Sequence, residues 1–423
     1  MPLRSCRQSM CQAPAGDGRA VTKVLLVVQQ LRRPVPGGIG TSVRGLADGL
    51  RTLGATGVTA YAGRSGAAAH PLSELGLPVR LSALPARLLT PAWDLGLIDV
   101  PRGYDVVHSP SLETPPVRHS ALAVTINDLA WREVPAAFPP RGRRWHEAAL
   151  RRALRRADAV VVPSATTADA VRAAGAPSEA VHVIALGSDH LPPPDADGAR
   201  ALLERLGIDG AFIVSVGTLE PRKNLGRLLL AYDRARQAAA DLPPLVVVGP
   251  RGWTGSEQDR RQDRRHGDGH GDGHGDGAVD DDSDSSDGAS PARRLSALRG
   301  VHFTGEVPAA VLSGLYRRAT MLAFVPLVEG FGLPPLEAMA AGTPVLCSPV
   351  PSVGALAPVQ TAVVVDPLDV DAIADGLVQL TEDAELRSRL SAAGAAHAAA
   401  HTWAHTAKRY LDLWTGLAAE VGR

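Results

Sequence analysis

The chain has 423 residues, of which 45% are hydrophobic and 21% charged, and its formal net charge is zero. A chain of this length is longer than one hydrophobic core usually accommodates, which predicts two domains. Because the positive and negative charges balance, the protein has no overall electrostatic field that would attract nucleic acid. The three cysteines, Cys6, Cys11 and Cys347, form no zinc or disulfide pattern, which favours a reducing, cytoplasmic compartment. No apolar run is long enough to span a membrane. The polar leader, residues 1–20, lacks the apolar region of a secretory signal and is expected to be disordered.

Apolar, β-branched runs alternate with helical patterns in the first half of the chain. One helical pattern, residues 143–157, is rich in arginine, alanine and leucine. Strands that alternate with helices predict a parallel sheet covered by helices on both faces, so we assign residues 21–190 to a Rossmann-like N-terminal domain. The predicted strands of this domain are residues 21–30, 58–62, 105–110, 122–128, 158–164 and 180–186.

A second alternation of strands and helices follows a proline-rich stretch, which predicts an interdomain linker at residues 191–200. Residues 201–395 are predicted to form a second Rossmann-like domain, and residues 396–423 a C-terminal helix that packs back toward the first. The predicted strands here are residues 212–217, 242–250, 301–307, 321–326, 343–349 and 362–367. The expected fold class is α/β, with two parallel-sheet domains facing each other across a cleft. In such sheets ligands bind at the carboxyl ends of the strands.

The stretch VPLVEGFGLPPLEAMAAGTPVLCS, residues 325–348, is the densest candidate for a functional site. Glu329 follows a predicted strand, and Glu337 lies inside the next predicted helix. The glycines between them let backbone N–H groups approach a ligand closely, and a helix N-terminus favours an anion. Carboxylates beside a bound anion suit sugar or ribose hydroxyls better than phosphate. The alternative is a helix entry with incidental acidic residues.

The stretch GTLEPRKN, residues 217–224, also follows a predicted strand and precedes a helical pattern. Arg222 can grip a phosphate with two hydrogen bonds, and Lys223 adds a point charge. At the carboxyl end of a strand this pair predicts a diphosphate site, with a solvated turn as the alternative.

A third candidate is the glycine-rich loop PVPGGIGTS, residues 34–42, after the first predicted strand. Val43 occupies the position where the dinucleotide-binding fingerprint starting at Gly38 would need its last glycine, so that motif is excluded. A phosphate bound across the cleft could still meet this loop.

Together, GTLEPRKN and EGFGLPPLEAMAAGTPV give the chain a resemblance to the retaining GT-B glycosyltransferases of family 4, over most of residues 21–423. Glu329 and Glu337 match the E-x7-E element of that family. The resemblance implies the GT-B fold and transfer of a sugar from a nucleotide diphosphate sugar with retention of configuration. It implies no cofactor and no metal.

The resemblance also implies roles for individual residues. Glu329 would contact the donor sugar at the reacting centre, Arg222 and Lys223 would neutralise the diphosphate leaving group, and Glu337 would hold the ribose hydroxyls. The remaining donor-binding residues would be Gly37, Gly38, Gly217, Thr218, Gly305, Glu306, Val307, Gly330, Phe331, Gly332 and Leu333. The segment FTGEV, residues 303–307, matches the loop whose backbone faces the base.

The chain departs from the family pattern at two positions. Thr218 stands where many relatives have an arginine, which leaves one phosphate contact to be replaced, and Arg222 is the candidate. Asn127-Asp128 stands where many relatives have His-Asp. Asparagine can bind a sugar hydroxyl but cannot titrate, so Asn127 is predicted to bind and not to act as a base. We expect Asn127, Asp128 and His108 to line the sugar and acceptor side.

Two further segments invite separate hypotheses. The arginine-rich segment 141–156 could rest on an anionic membrane and reach a lipid-linked acceptor, although a solvated helix docked on its sheet is the favoured interpretation. Residues 254–295 contain HGDGHGDGHGDG, whose histidines and carboxylates resemble metal ligands. Glycine at every second position disfavours a helix, so we predict a disordered insertion in a surface connector.

The leading functional hypothesis is transfer of a hexosyl group, mannose being favoured, to a glycan or glycolipid acceptor. The enzyme is expected in the cytoplasm, with peripheral contact at the inner face of the membrane as a further hypothesis. A sugar phosphorylase or a nucleotide-sugar epimerase on the same fold is one alternative. A metal-binding protein built around the His/Asp tract, and a non-catalytic glycan-binding relative, are two others.

Overall fold

The computed structural model describes residues 21–33, 35–65, 72–239, 241–250, 299–353 and 360–421. The predicted leader at residues 1–20 and the predicted insertion at residues 254–295 therefore lie outside the described residues.

Within the described residues, seven parallel strands form a first sheet in the order β3-β2-β1-β4-β5-β6-β7. The interior strand β1, Val24–Val27, places Val24 opposite Val58 on one side and Val106 on the other. Its four residues are all buried, as both-sided helix cover requires of a parallel sheet. The strands are β1 Val24–Val27, β2 Val58–Arg64, β3 Val79–Pro85, β4 Val106–Ser109, β5 Ala121–Thr125, β6 Ala159–Val162 and β7 Val181–Val183.

The edge strand β3 is absent from the sequence prediction. Its side chains are mostly exposed, including Val79 at 41% and Leu81 at 47%, so no continuous apolar run marks it. The helices of this domain are α1 Gly37–Thr52, α2 Ala86–Asp94, α3 Ala130–Glu133, α4 Pro140–Arg156 and α5 Ala165–Ala173.

A second sheet of six parallel strands lies within the same described ranges, in the order β10-β9-β8-β11-β12-β13. Its strands are β8 Ile213–Val216, β9 Leu245–Val248, β10 Val301–Gly305, β11 Met321–Phe324, β12 Val345–Cys347 and β13 Val363–Val364. The later helices are α6 Ala196–Arg205, α7 Leu225–Ala238, α8 Ala309–Arg318, α9 Leu333–Ala340, α10 Val370–Glu382, α11 Ala384–Ala399 and α12 Trp403–Val421. Two parallel-sheet α/β domains are therefore present, which confirms the predicted fold class.

Helix α6 begins inside the range predicted as a linker. Asp195 caps it by accepting a hydrogen bond from the Gly198 amide, and the helix packs against α8 of the second domain. The Asp195 amide also donates to the Ala310 carbonyl. The unstructured connection between the sheets is thus shorter than predicted.

The last helix, α12, returns to the first domain and packs along α1. Close contact is achieved at two glycines: an added Cβ would lie 2.1 Å from a Trp403 ring carbon at Gly45 and 2.2 Å from the Trp403 carbonyl oxygen at Gly49. Farther along α12, the buried Trp414 faces the core of the first sheet.

Helix α4 docks on the first sheet through Ala149, Leu150 and Ala153, which are fully buried. Arg152 pairs with Asp94, while Arg151 and Arg155 point to solvent. In the part of the chain that the structure describes, none of the helices combines the length and apolar character needed to cross a bilayer.

Candidate active site

A cavity of about 880 Å³ opens between the carboxyl ends of the two sheets and is lined by both domains. Loops after β1 and β5 form one wall, and loops after β8, β10 and β11 form the other. The lining includes these predicted residues: Gly37, Gly38, Asn127, Asp128, Gly217, Thr218, Arg222, Lys223, Glu306, Val307, Glu329, Gly330, Phe331, Gly332, Leu333 and Glu337. Residues far apart in the sequence thus surround one space large enough for a nucleotide-sized ligand.

The centre of the second-domain wall is a cluster of Lys223, Arg222 and Glu329. Lys223 Nζ lies 2.6 Å from Glu329 Oε2, and Arg222 Nη1 lies 3.1 Å from the same oxygen. Arg222 Nε also contacts Glu220 Oε1 at 2.7 Å. These side chains are 15% to 20% exposed, so they meet the cavity while being largely shielded from water.

The basic pair is positioned by a short 3-10 turn, Pro221–Lys223, that ends at Asn224. Asn224 adopts a left-handed conformation with φ 60°, and its side-chain amide donates to the Val325 and Pro367 carbonyls at 3.0 and 2.7 Å. The Leu327 amide donates to the Arg222 carbonyl at 2.9 Å. The turn is therefore fastened to the loop that carries Glu329.

Mutual attraction keeps the members of this cluster charged. Burial works to raise the pKa of Glu329, but the positive charges of Lys223 and Arg222 outweigh burial and hold that pKa below its ordinary value. Burial likewise opposes the charge on Arg222, yet Glu329 and Glu220 raise its pKa. Asp128, on the opposite wall, contributes in the same direction. The cavity thus holds the Arg222 guanidinium beside an ionised Glu329 carboxylate.

The loop after Glu329 brings backbone rather than side chains to the cavity. Gly332 has φ 98°, and its carbonyl accepts a hydrogen bond from Ser352 Oγ at 2.6 Å. Helix α9 starts at the next residue, Leu333, with prolines in its first turn. Pro334 and Pro335 lack an N–H, but the helix dipole and the remaining backbone amides at a helix start that borders a cavity favour an anionic ligand.

Glu337 lies one turn into α9 and is 7% exposed. Tyr316 donates a hydrogen bond to its Oε2 at 2.9 Å, and His190 Nε2 lies 3.0 Å from its Oε1. Burial, together with the adjacent carboxylate, raises the pKa of Tyr316 well above its usual range, so the tyrosine keeps its proton. The carboxylate is therefore oriented by neighbours on both oxygens.

The first-domain wall is formed in part by backbone. A Cβ added at Gly37 or Gly38 would meet nothing within 4 Å, so the start of α1 faces open space. The Asn127 amide donates to the Pro110 carbonyl at 3.2 Å, which leaves its carbonyl oxygen available to a ligand hydroxyl. Asp128 Oδ1 accepts a hydrogen bond from the Ala130 amide at 3.0 Å, and Asp128 also lines the cavity.

The prediction that His108 lines this site is wrong. His108 is fully buried, its Nε2 lies 2.9 Å from Thr125 Oγ1, and its ring lies 5.0 Å from that of Tyr410 and 5.5 Å from that of Trp414. Side chains alternate across a strand, so His108 projects onto the face covered by α12 and not beyond the strand end. Gly305 is also outside the cavity lining, whereas its neighbours Glu306 and Val307 are part of it.

Several residues of the lining were not predicted from the sequence, notably Gln30, Arg44, His190 and Glu220. His190 follows Gly-Ser-Asp after the last strand of the first sheet. Its place beyond a strand end is the signal that could have identified it, but the neighbouring prolines led to its assignment beside the linker.

Two family models match the chain. The glycosyl transferase 4-like domain matches residues 37–187, and glycosyl transferases group 1 matches residues 283–397. The chain is 27% identical to O-antigen chain mannosyltransferase B of Escherichia coli over 301 residues, which are 70% of this chain and 71% of the relative.

Two further relatives match at different lengths. D-inositol 3-phosphate glycosyltransferase of Corynebacterium urealyticum is 35% identical over 127 residues, which cover only 30% of each protein. The solved structure of Anabaena HepE in complex with UDP and glucose superposes with a TM-score of 0.65 at 18% identity. That match covers 93% of this chain and 100% of the other, and it supports the fold.

Proposed function

Because the chain belongs to the group 1 glycosyl transferases and is a glycosyltransferase, we propose that it moves a hexosyl group, preferably mannose, from a nucleotide diphosphate sugar to a glycan or lipid-linked acceptor. We propose further that the anomeric configuration is retained and that no metal is required. The observation that carries this proposal is the cluster of Arg222, Lys223 and Glu329 at the cavity between the domains.

The proposed chemistry follows from the charges of that cluster. When the bond from sugar to diphosphate breaks, negative charge develops on the leaving phosphate, and cations already in place stabilise it. Arg222 and Lys223 would supply this stabilisation, which a metal ion supplies in other transferases. The leaving phosphate would accept the proton of the attacking hydroxyl, which agrees with a titratable base being absent at Asn127.

The two carboxylates would have separate tasks. Glu329, next to the cations, would accept hydrogen bonds from hydroxyls of the donor sugar and position its anomeric carbon. Glu337, farther along α9, would accept hydrogen bonds from the ribose. The loop that includes Glu306 and Val307 borders the cavity and would meet the base, while Gly37 and Gly38 would cover the phosphates from the first domain.

Mannose is favoured because a relative that matches 70% of this chain is named a mannosyltransferase. That relative is also named for the O-antigen chain, which supports a polysaccharide or lipid-linked acceptor at the cytoplasmic face of the membrane.

The exposed arginines of α4 support peripheral contact with the membrane at that face. Salt-sensitive sedimentation with vesicles of phosphatidylglycerol and phosphatidylethanolamine would test that contact.

The proposed function is tested with a panel of nucleotide sugars. GDP-mannose, UDP-glucose and related donors are screened first by thermal unfolding, since a donor at 100-fold excess over its dissociation constant should stabilise the protein by about 2.7 kcal/mol. Hits are then assayed for transfer with and without EDTA, and the anomeric configuration of the product is read by NMR. The proposal would be contradicted if no donor stabilised the protein and no donor supported transfer.

The same assays separate the alternative reactions on this fold. A phosphorylase would need inorganic phosphate and release a sugar 1-phosphate, whereas an epimerase would change the donor without any acceptor. Activity lost in Glu329→Ala would exclude a non-catalytic binding protein. If the enzyme lost its activity on treatment with EDTA and regained it on addition of a metal ion, the proposed metal independence would be contradicted.

A further inference from the structure

His190 connects the carboxylate of Glu337 to the segments that join the two domains. It follows β7 in the chain and borders the cavity. Its side chain is 11% exposed and that of Glu337 is 9% exposed. His190 Nε2 lies 3.0 Å from Glu337 Oε1, while Trp403 Nε1 donates to His190 Nδ1 at 3.2 Å.

The contact with Trp403 determines where the proton of the imidazole lies. An indole N–H can only donate, so His190 Nδ1 must accept and carries no proton. The proton of the neutral ring is then on Nε2, directed at Glu337 Oε1. His190 is therefore a hydrogen-bond donor to the carboxylate, with its tautomer set from the other side of the ring.

This donor completes the orientation of the Glu337 carboxylate. Tyr316 already donates to Oε2 at 2.9 Å, so each carboxylate oxygen receives one hydrogen bond from the protein. An ionised carboxylate offers about four lone-pair positions, so about two remain for a ligand. With both oxygens held, the free positions point in fixed directions, which suits a pair of neighbouring hydroxyl groups.

Trp403 is itself held firmly. Its backbone amide donates to Asp189 Oδ1 at 2.7 Å, and the Ser188 amide donates to the His401 carbonyl at 2.9 Å. A Cβ on Gly187 would lie 2.4 Å from the Trp403 nitrogen, so only glycine permits this approach. The His190 imidazole therefore contacts Trp403 where the segment that leaves the first domain, residues 187–190, packs against the start of α12, which returns to that domain.

We propose that His190 is a positioning residue that holds Glu337 in the orientation that accepts the ribose hydroxyls of the donor nucleotide. The recognition of ribose then depends on the crossing between the domains and not on the second domain alone. This inference rests on the proposed function, because it takes the ligand of Glu337 to be the ribose of a nucleoside diphosphate.

The test compares ligands that differ only in the hydroxyls that Glu337 would bind. Dissociation constants of the full-length protein are measured by calorimetry for GDP and UDP and for their 2′,3′-dideoxy forms. Two variants of matched length are compared: His190→Gln keeps an N–H donor near the Nε2 position, and His190→Met removes it. His190→Asn, whose amide is too short to reach Glu337, is a second variant without the donor in case His190→Met does not fold.

Wild-type protein should bind the ribose form of its preferred nucleotide at least about tenfold more tightly than the dideoxy form, since hydrogen bonds to a charged group are lost. In His190→Met and His190→Asn this ratio should fall about fivefold or more, with dideoxy affinity nearly unchanged. His190→Gln should keep most of the ratio. A purely structural role would instead weaken both ligands equally.

The outcomes separate this inference from the proposed function. If wild-type protein discriminates between ribose and dideoxy forms but the variants keep the same ratio, the role of His190 is overturned and the proposed function stands. Equal weakening of both ligands in the variants has the same meaning. If wild-type protein binds neither nucleotide and no donor of the panel stabilises it, the proposed function fails and this inference fails with it.

Discussion

At the scale of single residues, the cluster around Glu329 joins two cations proposed to bind a diphosphate to a carboxylate proposed to bind the donor sugar. The ion pairs between them oppose both proposed roles. Lys223 and Arg222 both pair with one oxygen of Glu329, so this carboxylate partly neutralises the cations expected to meet a diphosphate. A bound diphosphate would compete with Glu329 for them. The carboxylate would then be released toward the sugar.

This competition predicts opposite effects of two substitutions on binding of a nucleoside diphosphate without sugar. Lys223→Met should weaken binding about tenfold or more, because one cation is lost. Glu329→Gln should bind at least as tightly as wild type, because the cations lose a competitor. Both variants should lower kcat by about 100-fold or more. Calorimetry and transfer rates provide the measurement, and equal weakening of binding in both variants would contradict this account.

His108 provides a separate prediction about stability. Burial lowers its pKa to about 3, whereas an exposed histidine titrates near 6.5. Because the folded-state pKa is the lower one, the unfolded chain binds the extra proton first. The contribution of neutral, buried His108 to the stability of the fold is therefore fully present above pH 6.5 and is lost as the pH falls toward 3.

The contribution of His108 should lower the free energy of unfolding by about 2 kcal/mol between pH 7 and pH 5. His108→Gln keeps a donor for Thr125 but does not titrate, so its loss of stability over the same interval should be smaller by that amount. Urea unfolding at the two pH values measures both. Parallel losses in the two proteins would show that other groups control the pH dependence.

At the scale of secondary-structure elements, glycines determine how closely helices and loops approach. In α1, Gly45 and Gly49 form a notch for Trp403 at the start of α12. Trp403 also supports His190, so this helix contact reaches as far as the carboxylate of Glu337. Gly45 and Gly49 are therefore linked to the cavity through Trp403 and His190, although neither glycine lines it.

Gly49→Ala is expected to destabilise the protein by about 1–3 kcal/mol, because its Cβ would lie 2.2 Å from a backbone oxygen that cannot move independently. Gly416→Ala is the matched control in α12. Its Cβ would meet nothing within 4 Å, and alanine favours a helix, so stability should rise slightly or stay the same. Thermal and urea unfolding measure the change in stability of both variants. Similar changes in the two would show that the close contact between Gly49 and Trp403 does not require glycine.

At the scale of the whole molecule, the two domains touch through backbone in the cavity. A Cβ on Gly330 would lie 1.8 Å from the Asn127 carbonyl oxygen, and Thr167 Oγ1 donates to the Gly330 carbonyl at 3.3 Å. Gly330 belongs to the second domain and both partners to the first. The domains could not meet in this way with any larger residue at position 330.

Gly330→Ala should therefore keep both domains folded but separate the two walls of the cavity. We expect kcat/KM to fall about 100-fold or more, because the reacting groups move apart by an ångström or more. Melting temperature should stay close to that of wild type. If activity is retained, the contact between Gly330 and Asn127 is not needed during the reaction.

The His/Asp tract allows a second prediction at this scale. Strands β9 and β10 precede and follow it in the chain, and they pair directly in parallel, with Val301 opposite Leu245. Deleting residues 256–291 leaves these strands and all cavity residues unchanged. Transfer activity and melting temperature should therefore be retained. Loss of activity in the deletion, together with rescue of chelated full-length protein by zinc or nickel, would instead place the chemistry in the tract.

Much of the molecule could be predicted from local patterns. The β-branched runs of β1 and β8 and the glycines and charges after them are neighbours in sequence, so one pass along the chain finds strand, loop and helix start together. The same applies to Glu329 and Glu337, which belong to one short segment. In contrast, β3 escaped prediction because an exposed edge strand carries no continuous apolar run.

The sequence by itself determined the two sheets, the family resemblance and sixteen of the residues that surround the cavity, because these depend on short-range periodicity and on motifs within a few residues. Only the tertiary structure decided that His108 is buried under α12 and that His190 meets Glu337. His190 and Trp403 are 213 positions apart, and their contact depends on how α12 crosses back to α1. Such a contact is set by packing between distant segments, which leaves no pattern along the chain.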